Sequence, residues 1–157
     1  MATGEVQVFN AFAESIGDGR IDLDTDTNIK LALIDAVITP TAADATPAWG
    51  ATSGVDYDGN EVSAAGSYTA GGEVLGSITW GETAGVCKFD AADEVISQDA
   101  AGFTDARWGI IYDDDATNND AIAFVDLGAA VSQVAGDITF TWNAGGIFTV
   151  TVNDTFT

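Results

Sequence analysis

Apolar residues recur at every second position in run after run of this chain. Ile29, Leu31 and Leu33 alternate with Lys30, Ala32 and Ile34 across residues 28–36. Val74, Gly76, Ile78 and Trp80 alternate with Leu75, Ser77 and Thr79 across residues 73–81. Ile138, Phe140 and Trp142 alternate with Asp137, Thr139 and Thr141 across residues 136–143. A period of two sends successive side chains to opposite faces of a strand, so these runs predict β structure. Residues 107–112 and 121–127 are apolar on both faces, as central strands are. Residues 86–90 form a short run, and residues 147–152 close the set. Gly145-Gly146 between the last two runs signals a hairpin.

Between the runs the chain is rich in turn formers. Asp outnumbers Glu 19 to 6, and there are 18 Gly; Asp and Gly favour turns, whereas Glu favours helix interiors. Seven or eight strands joined by turns are expected. With 157 residues, the chain reads as one domain. The expected fold is all-β, an antiparallel β-sandwich or jelly-roll-like domain over residues 18–157.

The N-terminal piece has a different period. Val6, Phe9, Ala13 and Ile16 fall at helical spacing with Phe12 beside them, and Gly17-Asp18-Gly19 stops the pattern. Residues 6–16 are expected as a short helix within an arm, residues 1–17. Three turns are marginal alone, so the apolar face must pack on something. The choices are its own sandwich or a partner, and Val6, Phe9, Phe12 and Ile16 are candidate interface residues. Pro40 and Pro47 flank a segment of Ala, Thr and Asp. Residues 39–60 therefore read as a long contact loop. Trp49 within it is the fifth candidate interface residue; Trp80, Trp108 and Trp142, in strands, are expected in core or subunit interface.

Composition removes several chemistries. The chain has no His, which excludes Ser-His-Asp and Cys-His catalysis and His-ligated zinc. Cys87 is the single Cys, so there is no internal disulfide and no thiolate cluster; in a β-run it reads as a small core residue. Four basic against 25 acidic residues give a net charge of -21. Phosphate-tracking surfaces need Lys and Arg, so no nucleic-acid partner is expected. Anionic lipid is repelled as well, and no membrane partner is expected. A folded monomer of this mass exposes roughly 7,400 Å², about 350 Å² per net charge. That spacing exceeds the ~8 Å Debye length of physiological salt, so the repulsion is tolerable in salt.

The acids cluster in two places. Asp22, Asp24 and Asp26 resemble the start of a calcium loop, but Thr27 and Leu33 stand where an EF-hand needs Gly and Glu. A solvated edge is the plainer reading. Asp113, Asp114 and Asp115 with Asn118, Asn119 and Asp120 lie between two strands and read as a capped hairpin loop, with a hard cation as the alternative. Carboxylate pairs for glycoside hydrolysis carry no weight among so many acids. No enzyme activity, cofactor or resident metal is expected. Residues 66–72 lack the Gly-Lys-Ser/Thr ending of a phosphate loop and read as a turn that lets two strands approach closely.

The start of the chain has no basic and apolar leader pattern. No apolar run approaches the ~20 residues of a membrane span. Asn153-Asp154-Thr155 fits a glycosylation sequon by chance. Synthesis in a cytoplasm is expected.

Several blocks in order resemble small virion proteins of tailed bacteriophages. They are Ile21-Asp22-Leu23-Asp24-Thr25-Asp26-Thr27 followed by Ile29-Lys30-Leu31-Ala32-Leu33; Asn60-Glu61-Val62-Ser63; Gly66-Ser67-Tyr68-Thr69-Ala70-Gly71-Gly72; Phe89-Asp90-Ala91-Ala92-Asp93; Ala106-Arg107-Trp108-Gly109-Ile110-Ile111-Tyr112-Asp113; Val125-Asp126-Leu127-Gly128; and Gly136-Asp137-Ile138-Thr139-Phe140-Thr141-Trp142-Asn143. The resemblance implies a head decoration (cement) protein on the outer surface of the capsid, bound to the major capsid protein and forming a homotrimer. It carries over no catalytic residue. A tail or neck protein and a carbohydrate-binding β-sandwich are the alternatives.

Overall fold

The computed structural model describes residues 4–50 and 54–152; the sequon at Asn153 lies outside them. The elements in order are β1 (Val6–Val8), α1 (Phe12–Gly17), β2 (Ile29–Ile34), β3 (Glu73–Val74), β4 (Thr79–Thr83), β5 (Val86–Asp90), β6 (Glu94–Ile96), β7 (Ala106–Asp113), β8 (Ala121–Val131), β9 (Ile138–Phe140) and β10 (Phe148–Thr151). A 3-10 turn covers Asp58–Asn60. The fold is all-β and sandwich-like, with one short helix. Five strands make the main sheet in the order β1-β8-β7-β2-β3. A three-stranded sheet, β10-β5-β4, and a two-stranded sheet, β6-β9, form the second layer. Every strand pairing is antiparallel.

The alternation in β2 divides the core in two. Ile29, Leu31 and Leu33 join Ile111, Ala123 and Val125 in the principal cluster, with Phe89, Ile96, Phe140 and Phe148 of the second layer. Ala32 and Ile34 point the other way, into a second cluster with Trp108, Ile110, Tyr112 and Phe124. The main sheet is therefore covered on both faces, which is why β7 and β8 read as continuous apolar runs. The second cover comes from the described parts of the 39–60 segment, residues 39–50 and 54–60: Trp49 and Tyr57 close the outer cluster. Within this segment the Ala48 N–H donates to Val55 O at 2.9 Å, and the Trp49 N–H to Asn119 O at 3.0 Å. The segment expected as a contact loop is a lid on the chain's own sheet.

Four further expectations need correction. The helix begins at Phe12, not at residue 6, because Val6–Val8 is a strand paired with β8 (Val6 opposite Val125, Val8 opposite Ala123). Val6 and Val8 also fit a period of two, and the ladder adds hydrogen bonds that an isolated turn of helix lacks. The run 73–81 is two strands in two sheets: Ser77 takes φ 54°, and the chain crosses layers there. β9 and β10 do not form a hairpin; β9 pairs with β6 and β10 with β5. Ten strands occur among the described residues; Val6–Val8 and Glu94–Ile96 are the two that alternation did not reveal. Three residues are too few to register a period.

The turn at 66–72 does bring strands together. Gly72 has φ +92°, and a Cβ there would lie 2.4 Å from Leu31 O. Only glycine meets both demands. No helix among the described residues is long and apolar enough to cross a membrane.

Candidate functional site

A groove of about 770 Å³ lies between the C-terminal half of β8 and the segment of β9. Leu127, Val131, Ile138, Phe140 and Trp142 supply its apolar lining, and Asp126, Ser132, Asp137, Thr139 and Thr141 its polar groups. Its shape comes from a register break. Ala106 pairs with Val131 and Trp108 with Asp126, so one residue of β7 opposes four of β8. The surplus bows outward as an exposed bulge at residues 128–130.

The root of the bulge is pinned. The Arg107 guanidinium pairs with the Asp126 carboxylate and sits 4.2 Å over the Trp108 ring. The Gly128 N–H donates to the same carboxylate at 2.6 Å. The Arg107 hydrogen bond is the main cause that holds the Asp126 carboxyl below its ordinary range.

The opposite wall is a short strand with a free side. β9 pairs with β6 alone, so its other edge has no strand partner among the described residues. Trp142 follows it, half-buried and fixed: its indole N–H donates to Ala92 O at 3.0 Å. Its backbone N–H donates to Asp93 Oδ1 at 3.0 Å, and its ring lies 5.9 Å from that of Phe140. An unpaired edge, an anchored indole and flanking hydroxyls suit a groove that receives an extended chain or a small polar ligand.

The five candidate interface residues are not gathered into one surface. Phe9 is 1% exposed and Phe12 3%. Phe9 packs on Phe124 at 4.9 Å, whereas Phe12 meets Phe148 edge-on at 5.3 Å on the other side of the sheet. Val6 is half-buried against the principal cluster. Ile16 alone of the four is exposed, at 36%. Trp49 is 6% exposed. The expectation of an apolar docking face on the arm is corrected: a sheet covered on two faces takes these side chains for itself. Trp142 is the tryptophan that faces the groove. Its position at the end of the expected run 136–143, just before Ala144-Gly145-Gly146, was the available signal.

A second feature is an acidic corner. The β2–β7 register sets Ile29 opposite Asp113 and so lays residues 22–28 beside the 113–120 hairpin. Thr27 and Asn28 N–H groups donate to Asp115 Oδ2 at 3.3 and 3.1 Å. Lys30 pairs with Asp114 at 2.7 Å, and the Asn28 amide donates to the same oxygen at 3.2 Å. Asp22 folds on itself, accepting from Asp24 N, Thr25 N and Thr25 Oγ1; the Thr25 hydroxyl chiefly lowers its pKa. Asp113 is fully buried. Burial pushes its carboxyl up to about 7, with the neighbouring Asp26 adding to the rise. Among the described residues no three acidic side chains gather into a metal-binding group.

Glu61 organises a third polar cluster. It accepts from Tyr68 Oη at 2.9 Å and Gly71 N at 2.7 Å, while Tyr68 Oη accepts from the buried Leu33 N at 2.9 Å. This network fixes the 66–72 turn to β2. Searches of protein-family profiles, curated proteins and solved structures found no match to the chain.

Proposed function

We propose that this chain is a bacteriophage head decoration protein that binds the outside of the shell and bridges capsomers. The observation that carries the reading is the groove beside the unpaired edge of β9. An extended segment of the major capsid protein adds there as a further strand. Its backbone bonds to the β9 edge, and alternate side chains enter between Leu127, Val131 and Trp142. The groove's ionisable side chains are Asp126 and Asp137, and the whole chain carries -21. The complementary segment is therefore basic or neutral.

The ordered blocks that resemble small tailed-phage virion proteins point to the same reading. So does the acidity: such a surface is unfavourable against packed DNA and suits the exterior. A shell under internal pressure fails where capsomers part. A rigid sandwich spanning two of them must detach first, and many copies acting together make a modest interface sufficient. A homotrimer, with each protomer offering its groove outward, fits this role.

A second reading draws on Trp142 with the Thr139 and Thr141 hydroxyls: a neutral sugar stacked on the indole. The test is binding of the purified chain to heads that lack it. The decoration reading expects saturable binding along the shell, abolished when Ala130→Trp fills the groove. Glycan binding lost in Trp142→Ala, with no binding to heads, would select the second reading.

A further inference from the structure

The sheets of the described residues end in β1 and β3, in β10 and β4, and in β6 and β9. An open edge is a template for another chain, and charged side chains or proline are its usual guards. β3, β4 and β6 carry Glu73, Glu82 and Glu94, and β1 follows Glu5. β9 and β10 have no such guard: residues 138–152 hold neither a charged residue nor a proline. β9 lines the groove already described. β10 is left, and it is exposed beyond Phe148, with Val150 at 37% and Val152 at 65%.

The register fixes which way the backbone of β10 faces. Val150 lies opposite Cys87 and Thr151 opposite Val86 on β5. The next step of the ladder is the Val152 N–H donating to Gly85 O at 2.9 Å. Backbone groups alternate in direction along an antiparallel strand. Val150 and Val152 therefore turn theirs to β5, and Thr149 and Thr151 turn theirs outward, where no strand of the described residues receives them. A second β10 laid antiparallel, Val150 against Val150, sets each Thr149 opposite a Thr151. Those are the residues with outward N–H and C=O groups, so each pair exchanges both of its bonds. Threonine meets threonine and valine meets valine, pairs that suit a sheet. The same self-pairing at β3, β4 or β6 would bring glutamates together. Between chains of charge -21, repulsion is least where the strands that meet are neutral. We propose that β10 is a self-association edge: two copies of this chain pair their β10 strands about a two-fold axis at Val150, joining their three-stranded sheets into one. A four-residue seam between like-charged chains is weak, so it forms where copies are concentrated. In a homotrimer it joins protomers of different trimers. It uses neither the groove nor the capsid protein and is independent of the docking reading.

Sedimentation velocity and amide hydrogen exchange on the native chain, each across a dilution series, test the seam. Association should grow with concentration. The Thr149 and Thr151 amides should then exchange about tenfold more slowly than in the dilute chain, while the Val150 amide, already turned to β5, changes little. Val150→Glu gives β10 the guard that other edges carry. Thr151→Pro removes an outward N–H and spares the β5 ladder. Each should weaken association by about tenfold or more with the thermal transition kept. Val37→Glu, at a site 81% exposed on a loop, adds the same charge elsewhere and should leave association within about twofold. A chain that stays dispersed at the highest concentration, association that survives both β10 variants, or association without protection of Thr149 and Thr151 would overturn the seam. Protection of those two amides in a chain that sediments without associating would overturn it as well, by showing that the chain covers this edge itself.

Discussion

Trp49 lies flat against Tyr112, ring centroids 5.2 Å apart and planes 12° from parallel. Tyr112 Oη in turn donates to Gly71 O at 2.6 Å. One stacked pair thus ties the long 39–60 segment, the central strand β7 and the 66–72 turn. The segment functions as the second cover of the main sheet, and Trp49 is its anchor.

Trp49→Ala should therefore behave as a core deletion and cost about 3–5 kcal/mol. Urea unfolding measures it. A loss below about 0.5 kcal/mol, the scale of a surface change, would contradict the account of the segment as a lid.

The N-terminal segment should be indispensable to folding. Deleting residues 1–17 removes β1, exposes the edge of β8 and empties the sites of Phe9 and Phe12, in two different clusters. The truncated chain should lose its cooperative thermal transition, whereas Ile16→Ser, at an exposed site, should stay within about 0.5 kcal/mol of the parent. A cooperative transition in the truncated chain would contradict this.

Stability should fall as pH rises from about 4 to about 7. Over that interval the folded chain keeps the Asp113 proton, which the unfolded chain has released, so the folded state binds more protons. The slope is then negative, up to about 1.4 kcal/mol per pH unit for one group, and levels off above about 7. Burial raises Glu61, Glu94 and Asp120 in the same direction. Asp44 and Asp126, held low by their hydrogen bonds, act oppositely, losing stability only as pH falls through their depressed range. Urea midpoints at a series of pH values check the sign, and Asp113→Asn should flatten much of the slope. A parent midpoint that climbs from pH 5 to 7 would contradict it.

Added salt should raise the melting temperature at neutral pH. A charge of -21 on a small sandwich repels itself, and shortening the Debye length weakens that repulsion. A melting temperature flat from low to molar salt would contradict the electrostatic part of the account.

The strands with a clear period were legible before any coordinates. β2, β5, β9 and β10 fall within their expected runs, because side chains facing a buried layer on one side must alternate; β7 (Ala106–Asp113) and β8 (Ala121–Val131) contain theirs, apolar on both faces, and run past them. What alternation does not encode is pairing. The sequence around Gly145-Gly146 looks like a hairpin, yet β10 is drawn to β5, where Phe148 lies opposite Phe89, a long-range contact that local spacing cannot reveal. Nor does periodicity count the layers. Val6, Phe9 and Phe12 look available to a partner only while the main sheet is thought to have one cover. The groove was hidden for a related reason: it arises from the slip between Arg107 and residues 127–130, and a bulge leaves no apolar signature. The two acidic runs were each visible, but their meeting depends on the β2–β7 register.

The central claim is that the edge of β9 receives a strand of the capsid protein on the outside of a phage head. Cryo-electron microscopy of virions encoding this chain tests it most directly. The account predicts the sandwich in many copies over the outer face of the shell, with an extended capsid segment lying between Trp142 and the 128–130 bulge. Finding the chain on the genome-facing side, at a single vertex, or on the exterior with that groove empty would contradict it.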